Sequence, residues 1–367
     1  MKLLKKTMQV GLTAFFFGLL ATNTVFADTT GGQFVDKDNR KYYVKDDHKA
    51  IYWHKIDGKT YYFGNKGEMV VGWQYLEIPG TGYRDNLLDN QPVNEIGLQH
   101  KWYYFGQDGS LQEYVGWKEL DAKDSLNVGK EYGEPFEGPE VLKYANYYFD
   151  KDHSLKTGWF YDQSNWYYLA KTGYLGKDYL GGERRAGWIY DGSSWYYLDT
   201  TTAAMQTGWQ YLGNNWYYLR SSGAMATGWM KDASTWYYLD GQNGDMKTGW
   251  AYVGNSWYYL RSSGAMSTGW MKDGSTWYYL DGQNGDMKTG WAYVGNSWYY
   301  LRSSGAMSTG WMKDGSTWYY LNASNGDMKT GWFQVNGKWY YAYGSGALAV
   351  NTTVGGYYVN YNGEWVK

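Results

Sequence analysis

The feature that most constrains this chain is a tandem repeat built on tryptophan and tyrosine. The segment from Gly249 to Leu280 recurs from Gly290 to Leu321 without a change. Each unit opens with Gly-Trp, and a second tryptophan seven residues later begins a Trp-Tyr-Tyr triplet. From Trp188 to Trp332, the intervals between first tryptophans alternate between 21 and 20 residues. Such a fixed period predicts an array of small stacked units that pair into super-repeats of 41 residues.

Each unit is predicted to form a β-hairpin. In a strand, the triplet places its tryptophan and second tyrosine on one face and its first tyrosine on the other. Pairs that allow positive φ separate the two strands, such as Asp273-Gly274 and Gly254-Asn255. A lone hairpin is unstable in water, so successive hairpins must cover each other's rings. The sequence therefore predicts an all-β chain of stacked hairpins, a β-solenoid.

The first 27 residues are predicted to be a secretory signal peptide. A lysine-rich start precedes an apolar run over residues 10–21, and Val25-Phe26-Ala27 then offers a cleavage site. The run is too short to cross a bilayer, and no later segment is apolar enough to do so. The mature chain is therefore expected to be exported without a membrane span and to stay at the cell wall through non-covalent contacts.

The mature chain is predicted to contain three parts: degenerate repeats over 28–157, regular repeats over 158–343 and a capping hairpin over 344–367. In the degenerate part, Thr60 and Asn146 stand where the second tryptophan belongs. Two insertions, 77–100 and 119–144, are predicted to be loops at the edge of the stack, and this part is the candidate for a function beyond attachment.

Composition excludes several classes of partner and site. The net charge is −2 and no basic block is present, which argues against nucleic acid. The chain has no cysteine, so it forms neither disulfides nor thiolate metal sites.

An enzyme is not expected. The chain has four histidines, scattered without metal-ligand spacing: His48, His54, His100 and His153. The carboxylates of the first insertion lie in a segment too short for an active-site domain: Asp85, Asp89 and Glu95. Neither a metal nor a cofactor is predicted. The carboxylates beside glycine-rich turns are expected to form those turns rather than to touch a cation: Asp240, Asp245, Asp281 and Asp286.

The aromatic residues must fill a core, hold a ligand, or do both. Aromatic residues make up 21% of the chain, and each ring buries a large area. The first tyrosine of each triplet is expected in the core. Two tryptophans across a hairpin, with a tyrosine from the next unit, could surround a soft cation such as a quaternary ammonium. Spacing alone leaves two alternatives open, a stacked sugar and an inert spacer with no ligand.

The unit Gly-Trp, seven residues, Trp-Tyr-Tyr, a turn, Gly-x-Met and x-Thr-Gly-Trp resembles the choline-binding repeats of streptococcal, chiefly pneumococcal, surface proteins. The resemblance is strong over 158–343 and weaker back to about residue 40. It implies a left-handed β-solenoid that holds choline between two tryptophans of one unit and a tyrosine of the next. The implied partners are the phosphocholine groups of teichoic and lipoteichoic acids.

Carried over residue by residue, the resemblance implies seven choline sites: Trp188, Trp195 and Tyr218; Trp209, Trp216 and Tyr238; Trp229, Trp236 and Tyr259; Trp250, Trp257 and Tyr279; Trp270, Trp277 and Tyr300; Trp291, Trp298 and Tyr320; Trp311, Trp318 and Tyr341. An eighth set, Trp159, Trp166 and Tyr197, spans the longer connection 173–186. Ordinary choline sites are not expected before residue 158.

The expected function is therefore that of a non-catalytic wall protein. Beyond attachment, the chain could restrain choline-dependent wall hydrolases or adhere to host proteins. The alternatives are a glucan-binding repeat protein, because similar hairpin repeats occur in secreted glucosyltransferases, and an accessory of a wall hydrolase.

Overall fold

The computed structural model describes residues 28–93, 98–121, 144–171 and 181–367. Over these residues the chain is all β, which confirms the predicted fold class. No helix long and apolar enough to cross a membrane occurs in the described part of the chain. The predicted signal peptide and most of the second insertion lie outside the described residues.

Short strands joined by tight turns make up the described chain. The strands before residue 170 are β1 (Gln33–Lys37), β2 (Arg40–Lys45), β3 (His48–Ile56), β4 (Lys59–Phe63), β5 (Gly72–Glu77), β6 (Leu87–Leu88), β7 (His100–Phe105), β8 (Gly116–Asp121), β9 (Tyr144–Phe149), β10 (Gly158–Asp162) and β11 (Asn165–Leu169). The strands from residue 187 to residue 301 are β12 (Gly187–Tyr190), β13 (Trp195–Leu198), β14 (Gly208–Leu212), β15 (Asn215–Leu219), β16 (Gly228–Asp232), β17 (Thr235–Leu239), β18 (Gly249–Val253), β19 (Ser256–Leu260), β20 (Gly269–Asp273), β21 (Thr276–Leu280), β22 (Gly290–Val294) and β23 (Ser297–Leu301). The last strands are β24 (Gly310–Asp314), β25 (Thr317–Leu321), β26 (Gly331–Val335), β27 (Lys338–Ala342), β28 (Thr352–Val354), β29 (Tyr357–Val359) and β30 (Trp365–Val366).

The chain forms two compact units. The first contains the described residues up to Gly187 together with Leu198–Met205. The second contains Trp188–Tyr197 and Gln206–Lys367. This division lies later in the chain than residue 157, where the sequence predicts a change from degenerate to regular repeats.

The hairpin of β10 and β11 accounts for the later division. The ring of Trp117, which lies in the degenerate part, is 5.4 Å from Phe160 on β10 and 5.4 Å from Tyr167 on β11. Although its sequence follows the regular repeat, this hairpin therefore packs within the first unit.

The regular repeat is a two-stranded antiparallel hairpin, for which β18 and β19 serve as the example. Trp250 lies opposite Tyr259, and Tyr252 lies opposite Trp257. Directly opposite residues share a face of a sheet, so these four rings lie on one face. Tyr258, the first tyrosine of the triplet, lies on the other face, and the predicted alternation is confirmed.

The tight turns follow the predicted chemistry with one shift in position. Gly254 and Asn255 have φ angles of 56° and 68°, which a two-residue hairpin turn of this kind requires. In the next hairpin, the two-residue turn is Gly274-Ser275 rather than the predicted Asp273-Gly274. Asp273 is the last residue of β20 and lies opposite Thr276, so its side chain projects from a strand.

A third segment connects each regular hairpin to the one before it. Met287 follows β21 and forms a bridge with Leu280 of its own hairpin. Its backbone N–H donates a hydrogen bond of 2.7 Å to the carbonyl of Trp257 in the preceding hairpin. Leu280 is fully buried, and the leucine that ends each neighbouring triplet is buried in the same way. The aliphatic core of the second unit thus consists chiefly of one leucine per hairpin.

The first unit begins with a sheet in which β1, β2, β3 and β4 pair in order and β6 pairs with β3. Because β6 belongs to the first insertion, part of the segment 77–100 is a strand and not the predicted loop. Leu87 and Leu88 pair with Ile51 and Ala50 of β3. Leu87 also packs against a buried cluster that includes Trp53 and Tyr103.

A buried carboxylate fastens the start of this insertion to β4. Glu77 is 2% exposed, accepts a hydrogen bond from the hydroxyl of Tyr62 at 3.2 Å and pairs with Arg84 at 3.7 Å. Burial, with the nearby Glu77 charge, raises the pKa of Tyr62 above its ordinary range. The hydroxyl therefore remains a hydrogen-bond donor at neutral pH.

The C-terminal segment is a three-stranded antiparallel sheet of β28, β29 and β30, one strand more than the predicted hairpin. Lys338 of the last regular hairpin forms an ion pair with Glu364 at 2.6 Å. Tyr340 of that hairpin forms a bridge with the same Glu364. These contacts dock the terminal sheet on the final repeat.

Candidate functional site

The rings predicted to hold a ligand meet between neighbouring hairpins of the second unit. The ring centroid of Trp250 lies 6.4 Å from that of Trp257, with an angle of 83° between the rings. It lies 4.8 Å from the ring of Tyr278 in the next hairpin, at 65°. Three rings at large angles to one another are an arrangement that can hold a soft cation through cation–π interactions, and we call each such set an aromatic cage.

The tyrosine supplied by the next hairpin is the first of its triplet and not the predicted second. Tyr278 contacts Trp250, whereas the predicted Tyr279 contacts Trp270 of its own hairpin at 5.1 Å. The cause is strand alternation, because the second tyrosine shares a face with its own tryptophans. The first tyrosine therefore faces back toward the preceding hairpin, where its ring contacts the first tryptophan.

Along the whole second unit, the first tyrosine of a triplet, and not the second, contacts the preceding hairpin. The contacts between successive hairpins, at 4.7–5.0 Å, are Trp188–Tyr217, Trp209–Tyr237, Trp229–Tyr258, Trp250–Tyr278, Trp270–Tyr299, Trp291–Tyr319 and Trp311–Tyr340. The predicted tyrosines lie at 4.9–5.2 Å from the first tryptophan of their own hairpins: Tyr218, Tyr238, Tyr259, Tyr279, Tyr300, Tyr320 and Tyr341.

The two tryptophans of a hairpin lie close together, one partly buried and one open. The pairs with centroids 6.4–6.5 Å apart are Trp209–Trp216, Trp229–Trp236, Trp250–Trp257, Trp291–Trp298 and Trp311–Trp318. Trp188 and Trp195 lie on β12 and β13, and Trp270 and Trp277 lie on β20 and β21. The side chain of Trp257 is 44% exposed, so a ligand can reach the cage from solvent.

In every second cage, the indole N–H of the first tryptophan has a hydrogen-bond partner on the next hairpin. The Nε1 of Trp250 donates a hydrogen bond of 3.0 Å to Oδ2 of Asp273. This carboxylate lies at the rim of the cage because Asp273 ends β20 instead of forming the turn. At the same rim, Tyr252 packs 5.2 Å from Trp257 and adds a further ring.

A set of rings at the C-terminal end was not predicted as a site. Trp332 and Trp339 of the last regular hairpin, with Tyr357 and Trp365 of the terminal sheet, line a cavity of about 330 Å³. Tyr357 lies 5.8 Å from Trp332 at 84° and 5.9 Å from Trp365 at 81°. The available signal was Gly356-Tyr357-Tyr358, a shortened triplet after a complete tryptophan pair.

Two of the corresponding tryptophans in the first unit are covered by other side chains. Trp53 is fully buried, and Trp73 is 4% exposed. Phe149 stacks on Trp73 at 5.8 Å with only 7° between the rings. These two tryptophans are therefore core residues.

At Trp117, a cation from the chain itself lies over the tryptophan. The guanidinium of Arg184 is 5.4 Å from the Trp117 ring, and the Trp117 indole donates to Asp162 at 3.1 Å. The N–H of Arg184 bonds to the carbonyl of Asn146, the residue that replaces the second tryptophan here. Arg184 thus occupies the position that methionine holds in the regular repeats.

The set Trp159, Trp166 and Tyr197 stays a prediction. Trp159 and Trp166 lie on β10 and β11 in the first unit, and Tyr197 belongs to the second unit. Residues 172–180 of the connection between them lie outside the described residues.

Two of the four carboxylates beside the glycine-rich turns, those of Asp240 and Asp281, form the turns, as predicted. The other two, Asp245 and Asp286, pair with lysine side chains at 3.1 Å. Asp281 Oδ1 accepts hydrogen bonds from the backbone N–H groups of Gln283 at 2.8 Å and Asn284 at 2.9 Å. These bonds, with the pairing to Lys288, lower the pKa of Asp281 to about 2. Asp240 makes the equivalent bonds, and the pKa of Asp240 is also lowered to about 2.

The histidines have structural partners. His54 is fully buried, with Nδ1 3.1 Å from the hydroxyl of Thr29 and Nε2 2.8 Å from the carbonyl of Leu87. Burial lowers the pKa of His54 from its ordinary value. His48 lies 2.9 Å from Asp89. In the described ranges, no group of three or more histidine, aspartate or glutamate side chains could hold a metal ion.

The remaining predicted carboxylates of the first insertion are Asp85 and Glu95. Asp85 accepts backbone N–H groups from Gly80 at 3.0 Å and from Gly82 at 2.6 Å, which makes it a turn residue. Glu95 lies outside the described residues.

Two family models match the repeats. One, described as a choline-binding repeat, matches residues 206–248, 247–289 and 288–333. The other, described as a cell wall binding repeat, matches residues 53–69, 101–111, 157–175, 186–201 and 330–348.

Relatives of known structure or activity were also found. The chain is 61% identical to choline binding protein F from Streptococcus pneumoniae, with 93% of this chain and 100% of that chain covered and a TM-score of 0.39. It is 57% identical to CbpJ from Streptococcus pneumoniae, with 92% and 100% covered and a TM-score of 0.37. A glucosyltransferase-S from Streptococcus mutans is 29% identical over 163 residues, which make up 41% of this chain and 10% of that enzyme.

The family models and the two pneumococcal relatives all indicate choline-binding repeats. The TM-scores are below 0.5, so family membership rests on the repeat matches and on sequence identity over nearly the whole chain. The chain spans only a tenth of the glucosyltransferase, and that similarity therefore carries no enzymatic activity with it. The chain belongs to the choline-binding repeat family of cell-wall proteins.

Proposed function

We propose that the second unit attaches the protein to the cell wall by binding the choline of phosphocholine-bearing teichoic and lipoteichoic acids. The observation that carries this proposal is the row of half-open aromatic cages, of which Trp250, Trp257 and Tyr278 form one. A quaternary ammonium offers no hydrogen-bond donor, and electron-rich ring faces are the groups that bind it.

The weakness of each cage explains the number of cages. Each cation–π contact contributes roughly 0.5–2 kcal/mol, and a net free energy of about −4 kcal/mol corresponds to a millimolar site. One such site would not retain a protein on a wall. Linked sites that face a polymer with repeated ligands gain about 10²–10⁴ in avidity for a pair. The repetition therefore builds a firm attachment from weak sites.

The second unit offers eight cages for this purpose, seven based on the tryptophans from Trp188 to Trp311 and one at Trp332. In this proposal the protein is a non-catalytic surface protein. By occupying wall choline, it would also exclude other choline-dependent proteins.

The direct test is titration of the full chain with choline, followed by tryptophan fluorescence and by calorimetry, with dextran as the carbohydrate control. The variant Trp216→Ala, Trp257→Ala, Trp298→Ala should lower the number of choline sites by three, because each substitution removes the open wall of one cage. Tyr361→Ala is the matched control, since Tyr361 is 73% exposed and lies outside the cages. Saturable binding of dextran without any response to choline would contradict the proposal.

Exclusion of other choline-dependent proteins can be tested with a wall-lysis assay. Excess protein should slow the release of choline-bearing wall material by a choline-dependent hydrolase, and the triple tryptophan variant should slow it less. Equal inhibition by both proteins would show that any restraint, or any adhesion to host proteins, does not act through the cages.

A further inference from the structure

Every second regular hairpin carries a Lys-Asp dipeptide at the end of its first strand. The three copies are Lys231-Asp232, Lys272-Asp273 and Lys313-Asp314. Successive residues of a strand point to opposite faces. Each dipeptide therefore directs a carboxylate toward the cage before its hairpin and an ammonium group toward the cage after it.

The aspartate reaches the preceding cage in all three copies. Indole Nε1 atoms donate to the carboxylates at 2.9–3.0 Å, in the pairs Trp209–Asp232, Trp250–Asp273 and Trp291–Asp314. We call these three cages the carboxylate-rimmed cages. The negative charge beside the rings favours a cation and opposes an anion.

The lysine reaches the following cage. Lys272 lies opposite Trp277 in the register of its hairpin, and its Nζ is 5.8 Å from the Trp277 ring. Lys231 and Lys313 lie 5.7 Å and 5.9 Å from the second tryptophans of their hairpins. We call the cages based on Trp229, Trp270 and Trp311 the lysine-rimmed cages.

The lysine-rimmed cages have no aspartate from the next hairpin, unlike the carboxylate-rimmed cages. Lys272 holds the strand position that Tyr252 has in the preceding hairpin, and Val294 holds the position of Asp273. Within residues 206–367, all of which are described, ion pairs involve Lys247, Lys288 and Lys338 but not the three rim lysines. Each rim ammonium group therefore stands at its cage without a carboxylate.

We propose that the two kinds of cage prefer different forms of the ligand. Lysine-rimmed cages bind phosphocholine as a zwitterion, with the trimethylammonium group between the rings and the phosphate paired with the rim lysine. Carboxylate-rimmed cages bind the ammonium group and gain nothing from the phosphate. The inference rests on the proposed function and adds to it a second recognised group, the phosphate.

The physical basis is the sign of the charge at each rim. An ammonium group at the rim repels a bare choline cation, whereas a ligand that carries its own phosphate neutralises that ammonium. Exposed ion pairs contribute modestly and are weakened by salt. We therefore expect a preference for phosphocholine over choline of about two- to fivefold at these cages, lost at high ionic strength.

The experiment uses the full chain with the carboxylate-rimmed cages disabled by Trp216→Ala, Trp257→Ala and Trp298→Ala. On this background, Lys231→Met, Lys272→Met and Lys313→Met remove the rim charge and keep the apolar stem. The matched control changes the adjacent residues, Asp232→Asn, Asp273→Asn and Asp314→Asn. Calorimetric titrations with choline and with phosphocholine, in 0.05 M and 0.5 M NaCl, give the ratio of the two dissociation constants.

The lysine substitutions should weaken phosphocholine by about two- to fivefold at low salt, leave choline unchanged or tighter, and remove the salt dependence of the ratio. The aspartate control should keep the ratio of the background. An unchanged ratio in the lysine variant would overturn the inference, and so would an equal tightening of both ligands, which would show a lysine that merely competes for the rings. A parent chain that binds neither ligand would remove the proposed function itself.

Discussion

At the scale of the residue, the position that ends each aromatic triplet separates closed rings from open ones. In the degenerate repeats before residue 158 this residue is phenylalanine, and Phe105 and Phe149 each pack on the tryptophan of the preceding repeat. In the regular repeats it is leucine, such as the buried Leu280, except in the last repeat, where it is Ala342. One larger side chain per repeat therefore accompanies the change from cage to core.

Glycine has two different roles at neighbouring positions of the repeat, and a pair of substitutions should separate them. Gly285 has a φ of +76°, and a Cβ atom at this position would lie 2.5 Å from Sδ of Met266. Gly290 has the same φ of +76°, but a Cβ atom there would meet nothing within 4 Å.

 

We expect Gly290→Ala to lower the free energy of unfolding of the second unit by about 1–2 kcal/mol, the cost of a left-handed backbone for a residue with a Cβ. Gly285→Ala should lower it further, because the methionine must also move. Urea unfolding followed by tryptophan fluorescence measures both. Equal losses for the two variants would show that the contact with Met266 does not constrain the repeat.

At the scale of the element, the repeating unit is a pair of unlike hairpins. The hairpin of β18 and β19 presents Tyr252 at its rim, and the hairpin of β20 and β21 presents Lys272 on one face and Asp273 on the other. Each interface therefore depends on which kind of hairpin comes before it. The alternation of 21 and 20 residues in the sequence reflects this pairing.

Excision of one complete pair should leave a folded chain with two fewer cages. Removal of residues 249–289 joins Thr248 to Gly290 and keeps the local sequence Lys-Thr-Gly-Trp. Because stability in a repeat array is a sum of units and nearest-neighbour interfaces, every remaining interface keeps its original type. Calorimetry should count two choline sites fewer, with the affinity of the others unchanged.

Excision of a single hairpin is the control for that prediction. Removal of residues 249–268 would place the hairpin of β20 and β21 directly after that of β16 and β17, which brings two hairpins of the same kind together. This variant should unfold at a lower urea concentration than the variant that lacks the pair. The reverse order of stability would contradict the pairing of unlike hairpins.

Period and alternation were enough to predict the hairpins and the tryptophan pairs, because each depends on residues close in sequence. The ring contact between successive hairpins involves Tyr278 and not the predicted Tyr279, because the sequence does not state which face of a hairpin meets its predecessor. The Trp250–Asp273 hydrogen bond was missed because the turn begins one residue later than predicted. Asp273 therefore lies at the end of a strand, where its side chain reaches Trp250. The pairing of β6 with β3 depends on contacts distant in sequence, which local patterns do not encode.

At the scale of the whole molecule, the two units differ in their titratable groups. All four histidines of the chain precede residue 154 and so belong to the first unit, whereas the second unit has none. His54 is buried, and burial lowers the pKa of its side chain below 6.5. In the second unit, Asp240 and Asp281 have pKa values of about 2 and keep their charge in mild acid.

Mild acid should therefore weaken the first unit alone. As the pH falls below 6.5, the unfolded chain takes up a proton at His54 before the folded chain does, so the contribution of the neutral residue is complete above 6.5 and declines below it. One such proton changes the free energy of unfolding by at most about 1.4 kcal/mol per pH unit. Hydrogen exchange between pH 7 and pH 5.5, corrected for the intrinsic exchange rate, should show faster opening of β3 and β4 and unchanged opening of β18–β25. A matching change in both units would contradict the assignment to His54.

The sparse bonding between successive hairpins also has a mechanical consequence. A backbone bond such as that from Met287 to Trp257 links one regular hairpin to the preceding one, whereas the bonds within a hairpin form its own two-stranded sheet. A pull on the chain would therefore peel hairpins away one at a time. Each release of about 20 residues would add roughly 70 Å of slack at about 3.3–3.6 Å per residue. A protein tethered to a growing wall would yield to tension in small steps while its remaining contacts held.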